Sequence, residues 1–439
     1  RGADLLVVEA RDEPGGSMRS ERTAEGFVLE NGPNTVVSSD PAMDEHFADL
    51  GIAEQRIVAD RRGARRYVLL NGQLELIPTS PGAFFQSPLL STPGKLRLLA
   101  EPLLPPAATP DESVATFFTR RLGSELANHL IDPFVSGVYA GNPRELSIQS
   151  TFPSLWEAEQ THGSVVRGML LGRKKKRSGP RKRSEMISFR DGLLTWPRAI
   201  VQALGAEHVR FGARATALHP DGDGWRLRVA REGGEEEYAA RQVVLAVPSH
   251  VAATLLADLA TAAAAALRGI SHPPMAVVHL GYRRADVEHP LDGFGMLCPS
   301  REGREVLGTL WPSSLFEGRA PEGMVLTSSF VGGARLPHLA QRDDEELIER
   351  VAAEQRSLIG ARGEPAFARV AHWDNAIAQY NAGHAHRMEV LAQTEAAHPG
   401  LHLIGNYRDG VSVEKCWHKG RDLGLNLPLG QTRSMERGA

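Results

Sequence analysis

Residues Ala3–Ser20 read ADLLVVEARDEPGGSMRS. The apolar run within them closes on an acid, Glu9, ahead of the charged turn Arg11–Glu13. A short apolar run between turn signals predicts a buried parallel strand. The carboxylate at its end, with Ala10 beside it, has the chemistry to accept hydrogen bonds from the hydroxyls of an adenosine ribose. A surface acid in a strand-end turn is the plain alternative for the same residue. Pro14-Gly15-Gly16-Ser17 follows. Paired glycines let a backbone approach a ligand closely, and Arg19 can offset a pyrophosphate charge.

The order strand, acid, arginine, Gly-Gly-x-x-Arg-Ser resembles the second half of the nucleotide-binding signature of glutathione-reductase-like flavoproteins such as amine oxidases and phytoene desaturases. The first half, strand–GxGxxG–helix, binds the pyrophosphate through backbone N–H groups and the helix dipole. No GxGxxG occurs in the 439 residues. On this reading Ala3–Glu9 is the second strand of a βαβ unit, and roughly 30 residues, one βα element, are expected upstream.

Composition sets the frame. The chain is 42% hydrophobic and 23% charged, in the range of a globular protein with a large core. Its formal net charge of -3 argues against nucleic-acid binding by the whole molecule. The two cysteines, Cys298 and Cys416, form no CxxC pair, which fits a reducing compartment with neither a disulfide framework nor a zinc site. Val251–Ala266, broken by Asp258, comes nearest to a membrane span and reads as a buried helix instead.

Further along, Gly26–Glu30 predicts a strand before the turn Asn31-Gly32-Pro33-Asn34. Ser38–Ser150 is mostly helical in period, except for a hairpin over Arg65–Pro78 turning at Asn71-Gly72. Gly172–Arg183, GRKKKRSGPRKR, predicts an exposed loop. Strand-like runs cover 208–229, 242–247, 276–282, 305–311, 324–331, 367–373 and 402–405, with helices over 251–267, 343–358 and 412–423. Near the end, a strand, Gly405, Gly410-Val411 and a helix start at Ser412-Val413 offer N–H groups to the electron-rich edge of a flavin. A strand-to-helix turn joining two core elements is the alternative there.

Ordered blocks carry a more specific resemblance: Asn31–Asn34, Arg65-Arg66-Tyr67-Val68, Asp132–Gly141, Asn142–Ser147, Gly293-Phe294-Gly295, Leu307–Leu310, Val331-Gly332-Gly333, Gln379–His384 and Gly410-Val411. In this order they resemble those of the oxygen-dependent protoporphyrinogen oxidases, over essentially Leu5 to Leu423. Amine oxidases share the flavin ends but not the middle blocks. The resemblance implies a Rossmann-like FAD-binding domain lacking its first βα unit (1–77, 190–252 and 385–439). It also implies a mainly helical membrane-associated domain (78–189) and an interleaved mixed-sheet substrate domain (253–384), an α/β and α+β fold.

Residue by residue, it implies that Arg66 pairs with a substrate propionate. Leu297 and Leu310 would sandwich one pyrrole ring, Phe330 would stack on another, Gly137 would line the cavity, and Asn34, near the flavin, would also meet the substrate. For noncovalent FAD it implies Glu9, Ala10, Gly15, Gly16, Ser17, Arg19, Gly32, Pro33, Asn34, Ala215, Gly410, Val411, Ser412 and Val413. The implied reaction removes six electrons from protoporphyrinogen IX in three rounds. In each a hydride leaves a bridging methylene for the flavin, O2 becomes H2O2, and no side-chain acid or base is essential. A peripheral place on the inner membrane facing the cytoplasm is implied as well; a homodimer is one candidate assembly. His384 and His386 lack a third ligand, so no metal is expected. Two rival readings stay open, another flavin oxidase of the amine-oxidase type and a porphyrin-binding protein without FAD.

Overall fold

The computed structural model describes residues 3–106, 111–175, 184–408 and 410–427. Its organising element is a seven-stranded sheet in the order Phe367–Trp373, Met275–Arg283, Met324–Gly332, Val306–Leu310, Gly295–Leu297, Tyr67–Leu70, Gln73–Leu76. All neighbours are antiparallel except Gly295–Leu297 beside Tyr67–Leu70. The last two strands are the hairpin expected around Asn71-Gly72. Side chains alternate across a strand, so paired residues share a face. One face (Tyr67, Val278, Leu280, Tyr282, Met296, Val306, Val331) forms a core with helix Asp344–Ile359. Asp343 caps that helix by accepting from the Glu346 N–H. The other face packs at Leu326 against Phe27 and Leu29, and at Val68 and Leu70 against Leu89.

A second body gathers around the nucleotide-like segments. Val7–Val8 runs parallel to Val209–Arg210, and Val243–Leu245 parallel to Leu401–Leu403. Val36–Ser38, Glu185–Phe189 and Arg56–Val58 make a small antiparallel sheet over helices Pro41–Asp49 and Thr195–Leu204. Between residues 81 and 175 the described chain is almost wholly helical. A fully buried pair, Arg121 and Glu101, ties these helices together, and Ser164 donates to the same carboxylate at 2.5 Å.

The structure corrects three expectations and adds one strand. The first strand is ladder-paired only at Val7–Val8 and half-exposed, because among the described residues Val209–Arg210 is its single paired neighbour. The helix expected over 251–267 is two helices, Ser249–Leu255 and Thr261–Arg268; the bend lets both bury their alanine and leucine faces. Residues 172–175 of the expected loop continue helix Val165–Lys175, and residues 176–183 lie outside the described residues. Finally, Gly234–Ala240 is a strand, held through Arg226 and Arg228 to Glu237 across the ladder.

No described helix is long and apolar enough to cross a membrane. Leu96, Leu99 and Leu103 nevertheless stand out in water, as do Met169, Leu170 and Leu171 on the adjoining helix.

Candidate active site

The two glycine segments meet. Gly32 lies so close to the Ser17 carbonyl that a Cβ on it would fall 1.9 Å from that oxygen. Gly15 and Gly16 take φ of 113° and 59°, a region open to glycine and strained for other residues. Arg11 closes the turn by donating to the Gly16 carbonyl, and its own N–H donates to the Glu9 carboxylate at 2.9 Å. The Ala213 N–H donates to the Glu9 carbonyl at 2.9 Å, while Ala215, two residues on, packs against the cluster around Leu218 and Leu245. Glu9 and Gly15 line one open groove of about 190 Å³ with Pro14, Pro197 and Phe211.

The rest of this wall comes from distant sequence. Met18, just after the glycine turn, and Val413, at the start of the last helix, pack against the same buried cluster. Ser412 caps helix Val413–Asn426 by accepting from the Lys415 N–H at 3.3 Å, leaving the helix's positive end next to Gly410 and Val411. Two buried polar atoms are unsatisfied here, Asn34 Oδ1 and Arg19 Nε. Asn34 spends its amide N–H on the Gly32 carbonyl at 3.0 Å. Buried polar groups are normally paired, so such orphans fit a polar ligand. The donor set and the close-packed glycines suit a flavin dinucleotide.

The second face of the large sheet meets it where His279 bonds to Asn31. Leu297 pairs with Gly308, which pairs with Phe330; Leu310 stands two residues along from Gly308. All three side chains therefore leave the same face. Each is half-buried in strands that are otherwise nearly closed to water. Val68 pairs with Leu297, so Arg66, two residues before Val68, joins that face at its edge. Its guanidinium lies 5.1 Å over the Phe294 ring and has no carboxylate partner among the described residues. Partial withdrawal from water lowers its pKa from the ordinary arginine value. Neighbouring Arg65 is neutralised by Asp292. Gly137, on helix Asp132–Tyr139, abuts Leu297: a Cβ there would sit 2.3 Å from Leu297 Cδ2.

Sequence reasoning missed the residues that join the two walls. His279 is fully buried on the same sheet face, its Nε2 3.1 Å from Asn31 Oδ1 and its Nδ1 2.9 Å from Ser328 Oγ. Burial drives its pKa down to about 3. Trp373 Nε1 donates to the Asn31 carbonyl at 2.6 Å, and Arg19 stacks over the indole at 4.4 Å. The one local signal was a histidine inside the apolar run Met275–Tyr282.

Other candidates stand apart. His384 is buried and stacks on Tyr380 at 4.2 Å, while His386 is exposed next to Glu389. No group of three metal-ligating side chains is found among the described residues. Cys416 directs its thiol to the Gly410 carbonyl at 3.7 Å.

The family model of the flavin containing amine oxidoreductases matches residues 1–422, and the chain belongs to that class. Within it, the chain belongs to the protoporphyrinogen oxidase family. It is 36% identical over 437 residues to the chloroplastic protoporphyrinogen oxidase of Oryza sativa subsp. japonica, covering 94% of this chain and 81% of that one. It is 28% identical to the coproporphyrinogen III oxidase of Bacillus subtilis (strain 168), covering 95% and 90%. A crystal structure from Exiguobacterium sp. 255-15 shares the fold, with TM-score 0.77, 24% identity and coverage of 95% and 91%.

Proposed function

We propose that this enzyme oxidises protoporphyrinogen IX to protoporphyrin IX with FAD and O2. One observation carries the reading: a single sheet face presents Leu297, Leu310, Phe330 and the unpaired cation Arg66, and it meets the glycine turns through Asn31. When bound, the flavin supplies the hydride acceptor and passes electron pairs to O2, so three rounds yield three H2O2. The protein's residues do the placing. Glu9 and Ala10 hold the ribose, with Ala215 against the adenine. Gly15, Gly16, Ser17 and Arg19 hold the pyrophosphate side. Gly32, Pro33 and Asn34 meet the ring system, and Gly410, Val411 and the helix start at Ser412-Val413 face its carbonyl edge.

On the substrate side, the aliphatic pair and Phe330 exclude water and lay the macrocycle flat, and Gly137 leaves room for it. Arg66 anchors a propionate at the rim by charge-assisted hydrogen bonds. Among the described residues the titratable group on the inner part of this face is His279, which is neutral with both ring nitrogens engaged. Tautomerism within the macrocycle therefore delivers each new hydrogen to the same side.

The binding of FAD is noncovalent on this reading, so acid precipitation releases all of the colour. The exposed Leu96, Leu99, Leu103, Met169, Leu170 and Leu171 would rest on a lipid surface, where apolar side chains stabilise docking and basic residues nearby in sequence add electrostatic attraction. The test is direct. FAD-loaded chain is mixed with protoporphyrinogen IX in air, and porphyrin fluorescence, O2 uptake and H2O2 are followed, with coproporphyrinogen III in a parallel arm. Protoporphyrin formed with three H2O2 per macrocycle supports the reading. Inertness toward protoporphyrinogen by a chain that holds its flavin overturns it.

A further inference from the structure

One cross-strand row of the large sheet runs Gly295, Leu310, Ser328, His279. Its outer part is substrate wall. Its inner part leaves the sheet: His279 reaches across to the side chain of Asn31, directly before the Gly32–Asn34 turn. The chemistry of the partners fixes the direction of these bonds. Asn31 Oδ1 can only accept, so Nε2 carries the hydrogen, and Nδ1 accepts from the Ser328 hydroxyl. With both nitrogens engaged in a closed interior, the ring has one orientation. The main chain of Asn31 is held as well: its N–H donates to the Arg19 carbonyl at 2.8 Å and its carbonyl accepts from Trp373. The next residue, Gly32, is wedged on the Ser17 carbonyl. The main chain of the turn is thus held by Arg19, Trp373 and Ser17, and the side chain of Asn31 by His279.

We propose that His279, oriented by Ser328, is a positioning residue that sets the distance between the flavin turn at Gly32–Asn34 and the substrate wall at Leu310. The assignment rests on the two walls described under the proposed function. It touches no reacting atom. It acts by fixing Asn31, and through Asn31 the turn that the ring system meets. Hydride transfer depends steeply on separation, and a misplacement of about 1 Å from a remote change can cost about 100-fold in rate. A residue whose task is spacing should therefore affect the transfer step and leave affinities nearly unchanged. A residue that merely fills core would instead lower stability and flavin retention together.

The experiment uses the full chain loaded with FAD, comparing His279→Gln, Ser328→Ala, Asn31→Ala and the double variant His279→Gln/Asn31→Ala. Flavin content and the shape of the visible flavin band report the site without turnover; anaerobic stopped-flow reduction by protoporphyrinogen IX reports the transfer. We expect FAD content and KM within about twofold of wild type, a shifted flavin band, and reduction slowed about 10- to 100-fold in His279→Gln. The double variant should be no slower than the worse single one, because both changes break the same link. Ser328→Ala, which removes only a hydroxyl, keeps the inference testable if His279→Gln misfolds; its reduction should slow about threefold or more. Multiplicative losses in the double variant, or unchanged reduction in a folded His279→Gln or Ser328→Ala, would overturn the positioning role. Failure of the wild-type chain to oxidise the porphyrinogen at all would instead sink the functional reading beneath it.

Discussion

Arg66 and its neighbour Arg65 show how adjacent residues of one type divide by strand parity. Arg65 turns to Asp292 and is neutralised, whereas Arg66 keeps its charge on the face with Leu297. Arg66→Ala should raise KM for protoporphyrinogen about 10- to 100-fold, the equivalent of the roughly 1.5–3 kcal/mol of a charged hydrogen bond, with flavin content intact. Steady-state kinetics on flavin-normalised enzyme checks it, and an unchanged KM removes Arg66 from the anchor role. Gly32 is sensitive for a steric reason. Gly32→Ala drives a methyl into the backbone oxygen of Ser17, which has no side-chain freedom to yield. Flavin retention should fall at least tenfold, and stability should drop by about 1–3 kcal/mol, the usual cost of overpacking. Equilibrium dialysis with FAD and a urea titration measure the two effects.

Among the elements, helix Val413–Asn426 carries a cap with two jobs. Ser412 satisfies a helix N–H and, on the proposed reading, holds the positive end of the helix toward the flavin. Ser412→Ala should cost about 1 kcal/mol, seen as a Tm lowered by about one degree, and weaken FAD binding severalfold. How legible each element was follows from its physics. The hairpin at Asn71-Gly72 and the helix Asp344–Ile359 were readable, because turn chemistry and apolar period are local. Gly234–Ala240 was not: a run with three glutamates has little strand propensity, and only the arginines across the ladder make it a strand. The site divides the same way. Glu9, Gly15 and Gly16 carry a local pattern. Leu297, Leu310 and Phe330 look like any core residues, and only ordered blocks of resemblance singled them out. His279 carried only the signal of a histidine in an apolar run, which does not name its partners 49 and 248 residues away.

For the molecule as a whole, the buried pair of Glu30 and Arg319 links the strand before the flavin turn to the loop after Val306–Leu310. Burial pushes the Glu30 carboxyl up to about 7, against the opposing pull of Arg319, Ser20 and the Leu193 N–H. The folded state then binds a proton more tightly than the unfolded one, so this group's contribution to stability falls as pH rises from about 4.5 to about 7. The slope is at most about 1.4 kcal/mol per pH unit. Urea unfolding across that window should show the decline in wild type and a flatter profile in Glu30→Gln; parallel profiles would mean that Glu30 does not titrate there. Docking on lipid is tested at the same scale. Leu99→Glu with Leu170→Glu should cut co-sedimentation with anionic vesicles at least fivefold while activity on detergent-dispersed substrate persists.

The alternation of the large sheet has a practical corollary. Leu297, Leu310 and Phe330 on one side are interleaved with Met296, Thr309 and Ser329 on the other, and the second set packs against the rear. Selectivity and foldedness are therefore written in alternate letters of the same strands. A mutant library that randomises every second codon could explore new ring-shaped substrates while leaving the hidden half of each strand unread.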